Sequence, residues 1–144
     1  MANPTMRKFG YPETLLREFD NWAVLLRPAQ VTLGSLVLAA KSDATAFADL
    51  PAEAFAEQAL AVRSIETALA AFCGYERINY LMLMMVDPNV HFHVIPRYSE
   101  PRQWDGVEFA DEGWPGIPQL KLVVELTADQ TKSMIEQLKP HFYS

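Results

Sequence analysis

Apolar residues change their spacing several times along this chain, and each change predicts an element. Residues 14–19 and 22–27 are short apolar runs parted by Asp20-Asn21, a turn-favouring pair, and predict a β-hairpin. Residues 15–19 alone would also fit a helical turn. Residues 31–40, with the run Leu36-Val37-Leu38, predict a strand whose start admits close backbone approach at Gly34. Residues 41–50 are polar and then mixed, as in a loop with a short helical turn. From 51 to 72 the residues Phe55, Val62, Ile65, Leu69 and Phe72 recur at helical spacing and predict one apolar stripe. Pro51 suits the first helical position, Glu53 the first turn and Gly74 a left-handed cap, so a long helix is expected between them. Residues 77–86 are almost wholly apolar and predict a long strand covered on both faces, with Met82, Met84 and Met85 as core packing.

The run Asn89-Val90-His91-Phe92-His93-Val94-Ile95-Pro96-Arg97-Tyr98 alternates polar and apolar residues and holds two of the three histidines. In a strand, successive side chains point to opposite faces. Val90, Phe92 and Val94 then face a core, while Asn89, His91 and His93 present amide and imidazole groups on the other side. Arg97 falls on the histidine side if the strand stays regular through Pro96. Asp87-Pro88-Asn89 is a tight connection, so this strand and the one before it are expected to be antiparallel neighbours.

Residues 99–118, rich in Pro, Gly and Trp, have no clear period and predict a long loop. Residues 120–126 fit a short strand. Thr127 and Gln130 form a capping-box pattern that opens a helix over 128–138, ended by Pro140. Residues 1–12 read as an irregular arm. The whole predicts a single α+β domain over 1–144: an antiparallel sheet of about five strands, one long helix and a C-terminal helix.

Composition narrows the function classes. Half the residues are hydrophobic, enough for a core without disulfides, and the single cysteine, Cys73, suits a reducing cytoplasm. No apolar run is long enough to span a membrane, and no signal peptide is visible. A net charge of −6 argues against non-specific nucleic-acid binding. An anionic ligand would therefore be held by local donors. The histidine pair admits zinc, but only His141 and Cys73 would add to it and neither has motif spacing; no metal and no cofactor is expected.

The run 89–98 resembles the signature of the histidine triad superfamily, in which His-x-His-x-His is followed by apolar residues and often Pro-Arg. Here it reads Asn89-x-His91-x-His93 and then Val94-Ile95-Pro96-Arg97. With the preceding Ile78-Asn79-Tyr80-Leu81-Met82-Leu83-Met84-Met85-Val86-Asp87-Pro88, it is similar to a bacterial branch of that superfamily, over about residues 15–138. Two departures stand out. The first triad position is Asn89, and Ser35 occupies a position where the family often carries a histidine beside the triad.

The lone cysteine points to the cytoplasm, and the resemblance implies a homodimer that binds a purine nucleotide. It also implies hydrolysis of a dinucleoside polyphosphate or nucleotide phosphoramidate through a nucleotidyl-histidine. His91 would be the nucleophile and His93 the phosphate or leaving-group contact. Asn89 would orient His91 through its backbone carbonyl, which survives the exchange of His for Asn. Ser35 and Arg97 are further candidate nucleotide contacts, and Arg102 a weaker one. Trp104 and Trp114 fit the loop's own apolar plug better than a base-stacking platform. The competing expectation is a nucleotide-binding module with little turnover, because the histidine set is incomplete. A protein-interaction module without a ligand is a third.

Overall fold

The structure is a computed structural model and describes residues 2–143. A first helix, α1 (Pro4–Lys8), precedes β1 (Leu15–Glu18) and β2 (Trp22–Leu26). There follow β3 (Ala29–Gln30), β4 (Leu36–Ala40), a 3-10 turn (Phe47–Asp49), the long helix α2 (Ala52–Cys73) and β5 (Arg77–Leu81). The chain then runs through β6 (His91–Arg97), β7 (Arg102–Trp104), β8 (Val107–Phe109), β9 (Val124–Glu125) and α3 (Ala128–Phe142). Five strands form one antiparallel sheet in the order β1-β2-β4-β6-β5. The α+β class, the five-stranded sheet and the two long helices are as the sequence predicts.

The sheet has two unlike faces. Trp22, Val24, Leu26, Leu36, Leu38 and Val94 point to α2 and α3, and with Ile65, Leu69, Met134 and Leu138 they make the main core. Ala23, Leu25, Val37 and Ala39 point the other way, where Met6 of α1 covers them. Smaller residues on this second face leave room for a thin cover and for the histidines. Gly34, in the turn before β4, has φ +89°, and a Cβ there would come within 3.1 Å of Leu69 and 3.3 Å of Cys73 Sγ. The close approach expected of this glycine is real, and the conformation favours glycine independently.

Several predicted elements differ in detail. Part of the arm predicted as irregular over 1–12 is a helix, Pro4–Lys8, with Asn3 capping it by accepting from Met6 N at 2.9 Å; Met1 lies outside the described residues. Five residues are too few for a periodicity to register, and a helix this short depends on caps and tertiary contacts. The strand predicted over 77–86 stops at Leu81, and Met85 is 84% and Val86 82% exposed. Met82 and Met84 do pack against the core. The stripe of α2 is centred on Ala54, Ala61, Ile65, Ala68 and Leu69, with Phe55 exposed, because small residues let the helix lie close to the sheet. Residues 99–118 contain a hairpin, β7 and β8, turned by Asp105 and Gly106 at φ 50° and 72°. Both central residues in the left-handed region match the two-residue turn that fits strand twist. α3 keeps its capping box but passes Pro140 to Phe142, whose burial and whose carbonyl bond from Arg17 (2.7 Å) hold the last turn. No helix of the described residues is long and apolar enough to cross a membrane.

Candidate functional site

His91 and His93 open β6, opposite Ala39 and Val37 of β4. They stand on the face away from the long helices, with their ring centroids 5.2 Å apart. The strand is held on both sides by ladders, so the two rings are carried by the interior of the sheet and not by a loop.

His91 is 2% exposed. Its Nδ1 lies 2.7 Å from the carbonyl oxygen of Asn89. A carbonyl only accepts, so Nδ1 carries the proton and Nε2 keeps a free lone pair. His93 is 8% exposed and its Nδ1 is buried without a partner. Burial pushes its pKa down to about 4, helped by the Arg27 charge, by the neighbouring His91 ring and by Lys8, and opposed by Asp87. His93 is therefore a neutral imidazole near pH 7.

The Asn89 side chain does not join the histidine row. Its Oδ1 accepts from Thr5 Oγ1 (3.0 Å) and Thr5 N (3.3 Å) of α1, and its Nδ2 donates to Asp43 O at 3.0 Å. Asn3 adds a second fastening, donating through Nδ2 to Ala40 O and Ser42 O, both at 2.9 Å. Lys8 pairs with Asp87 at 3.0 Å. These bonds lay α1 over the second face and bring Phe9 onto both imidazoles, 5.6 Å from the His91 ring and 5.7 Å from that of His93. Beside Phe9 opens a cavity of about 410 Å³, with Lys8 and Gly10 on one side and Arg27, Asp87 and Glu125 on the other. A larger cavity, about 580 Å³, runs along α3 and is lined by neither histidine. Volume alone does not locate the chemistry.

Ser35 and Arg97 are not on the open part of this site. Ser35 is fully buried, and its hydroxyl donates to Thr32 O at 2.8 Å while accepting from Thr32 N at 3.0 Å, so it braces the turn into β4. Arg97 does share the histidine face, but all three of its guanidinium nitrogens are engaged. Nε and Nη2 donate to the two Asp111 oxygens at 2.7 and 3.1 Å, and Nη1 donates to Asn79 Oδ1 at 2.7 Å. Arg102 caps α2, donating to the carbonyls of Cys73 and Gly74. Trp104 donates to Gln137 of α3 at 2.9 Å, and Trp114 lines a cavity beside Arg97.

Sequence reasoning missed Phe9 and Arg27. Alternation along 23, 25 and 27 puts Arg27 on the histidine face, but that matters only once β2 is known to lie beside β4 and β4 beside β6. Among the described residues no group of three or more His, Cys, Asp or Glu gathers as a metal site requires.

No family model matches the sequence, and no curated protein matches it. Solved structures do. A histidine triad protein from Marinobacter aquaeolei VT8 superposes with a TM-score of 0.72 at 22% identity, over 90% of this chain and 88% of that one. A hypothetical histidine triad nucleotide-binding protein from Sulfolobus tokodaii strain7 gives 0.64 at 16% identity, over 90% and 83%. The diadenosine triphosphate hydrolase of Plasmodium falciparum gives 0.66 at 11% identity, over 92% and 78%.

Proposed function

From the histidine triad fold that this chain carries, we propose a nucleotide hydrolase or transferase acting at an α-phosphate. Its substrate is a dinucleoside polyphosphate or a nucleotide phosphoramidate of a purine nucleoside. His91 Nε2 attacks the α-phosphorus, a P–N bond forms, and the bond from phosphorus to the leaving oxygen or nitrogen breaks. Water then attacks the same phosphorus, the P–N bond breaks, and a nucleoside monophosphate leaves. His93 contacts the phosphate or the leaving group, and the Asn89 carbonyl holds the His91 ring.

The observation that carries this reading is the 2.7 Å contact between His91 Nδ1 and Asn89 O. It fixes the tautomer that leaves the other nitrogen nucleophilic. A nucleotide-binding and a diadenosine triphosphate-cleaving protein of the same fold support it. The reacting atoms must come within about 3–3.5 Å of each other. Phe9, lying on both rings, therefore has to move aside when substrate enters.

That same cover favours a second reading, a nucleotide-binding module with little turnover. The two separate by AMP release from diadenosine tetraphosphate and from adenosine phosphoramidate, measured for wild type and His91→Ala. The expected result is turnover by wild type and a loss of roughly a thousandfold or more in the variant. Equal rates would remove His91 from the mechanism. Nucleotide affinity without AMP release would favour the module.

A homodimer is part of this proposal. β5 is one of the sheet's two edge strands, and the loop after it exposes Met85 and Val86. Light scattering at micromolar concentration tests it, and a monomer mass would remove it.

A further inference from the structure

Among the described residues, only two buried side-chain polar atoms have no hydrogen-bond partner: Arg27 Nε and His93 Nδ1. They belong to the same face. Leu25, Val37 and His93 stand in one row across three neighbouring strands. Arg27 is the next residue of that face beyond Leu25, and its amide donates to Ser35 O at 3.1 Å. Its side chain lines the cavity beside Phe9, the ring that lies on both imidazoles. The guanidinium charge is felt at His93.

Arg27 is also uncommitted as a charge. Asp87 is held by Lys8, and Glu125 attracts Arg27 across the cavity without forming an ion pair with it. Only Nη1 is tied, donating to Ala29 O. A buried donor without a partner is costly, and native structures complete nearly all of them. Arg27 lines the cavity, and its unpaired Nε there calls for a completing ligand atom. Arginine Nε only donates, so that atom must accept. An acceptor that completes a guanidinium without a counter-charge is best anionic.

We propose that Arg27, through its free Nε, holds an anionic phosphate oxygen of the ligand on the histidine face, which makes Arg27 a phosphate-binding residue of this site. The inference deepens the nucleotide reading and rests on it for what carries the phosphate. Arg97, bonded throughout, has no part in it.

The test is calorimetric titration of wild type, Arg27→Gln and Arg27→Lys with AMP and, separately, with inorganic pyrophosphate. It is paired with nitrogen NMR of the histidine side chains. The expected result is an affinity about 10- to 100-fold lower for both probes in Arg27→Gln, the size of one lost charged hydrogen bond. Arg27→Lys restores only part, because an ammonium does not present Nε. In wild type, the bound anion moves the titration of the His93 ring to higher pH, because a negative charge favours the imidazolium. Arg27→Gln binding AMP within about threefold of wild type, with His93 responding normally, would overturn the inference. Wild-type binding of pyrophosphate but not AMP, lost in Arg27→Gln, would uphold it and remove the nucleotide reading. Binding of neither probe would remove both. If Arg27→Gln does not fold, Arg27→Lys and the wild-type His93 resonance decide.

Discussion

β6 carries buried polar side chains at both ends of one face, and the two ends are finished differently. At the far end Arg97 gives every guanidinium nitrogen a partner within the protein, two on Asp111 and one on Asn79. At the near end His93 keeps Nδ1 free, and Arg27, two strands away, keeps Nε free. Both ends hold cationic or titrating groups that water barely reaches. A closed network spends its hydrogen bonds on holding the scaffold, while an open one keeps them for something that arrives. Closure, more than residue type, separates the structural arginine of this face from the one proposed to bind ligand.

The strongest way to break that contrast is to open the closed end. Asp111→Ala leaves the Arg97 guanidinium buried without its counter-charge, the Asp111 and Arg97 side chains being 2% and 5% exposed. Removing one partner of such a pair costs about 3–5 kcal/mol. Urea unfolding should show that loss. AMP affinity of the folded variant should stay within about threefold, since Arg97 lies four residues, roughly 13 Å, from His93. Arg27→Gln should do the reverse, with a stability change under about 1 kcal/mol and a large loss of affinity. Equal effects of the two variants on affinity would erase the distinction.

Acid sharpens the comparison from the open end. His93 titrates near 4 in the folded protein against 6.5 for an ordinary imidazole. Above pH 6.5 both folded and unfolded chains hold it neutral, and it costs nothing. Between 6.5 and 4 the unfolded chain takes the proton and the folded one does not, so stability falls as pH falls. Below 4 both are protonated and the loss, about 3 kcal/mol, is complete. Unfolding midpoints of wild type and His93→Asn should diverge over that window, with the variant flatter. Parallel acid limbs would mean that His93 is not held neutral by its surroundings.

How much of this was legible in the sequence follows from distance along the chain. The alternation of residues 89–98 is local, and so were the strand, its two faces and the histidine pair. The hairpin of β7 and β8 was read as part of a long loop, because its three-residue strands are too short to show a period and only the turn pair Asp105-Gly106 signals it. The partners were not local. Asp111 meets Arg97 from the end of a hairpin with no periodic signature. Arg27 meets the histidine face only through a pairing order that places β4 between β2 and β6. Thr5 meets Asn89 across 84 residues. Nothing in a polar threonine near the chain start announces that bond.

That last contact gives the smallest expected effect and the finest test. Asn89 divides its work: the backbone carbonyl faces His91, while the side chain accepts two hydrogen bonds from Thr5 of α1 and donates one to the Asp43 carbonyl. Asn89→Ala removes the fastening and keeps the carbonyl. It leaves the Thr5 amide, the Thr5 hydroxyl proton and the Asp43 carbonyl without their Asn89 side-chain partners, a cost of about 2 kcal/mol, while the Asn89 amide still donates to Thr5 Oγ1 at 3.2 Å. Amide exchange over residues 2–12 should quicken, because the arm that carries Phe9 is then tied mainly by Asn3 and Lys8. The His91 ring should keep its proton on Nδ1, which nitrogen NMR reads directly. A His91 tautomer that changed in Asn89→Ala would mean that the side chain, not the carbonyl, sets the ring. Unchanged exchange in the arm would mean that burial of Met6, not the Asn89 latch, holds the cover over the histidines.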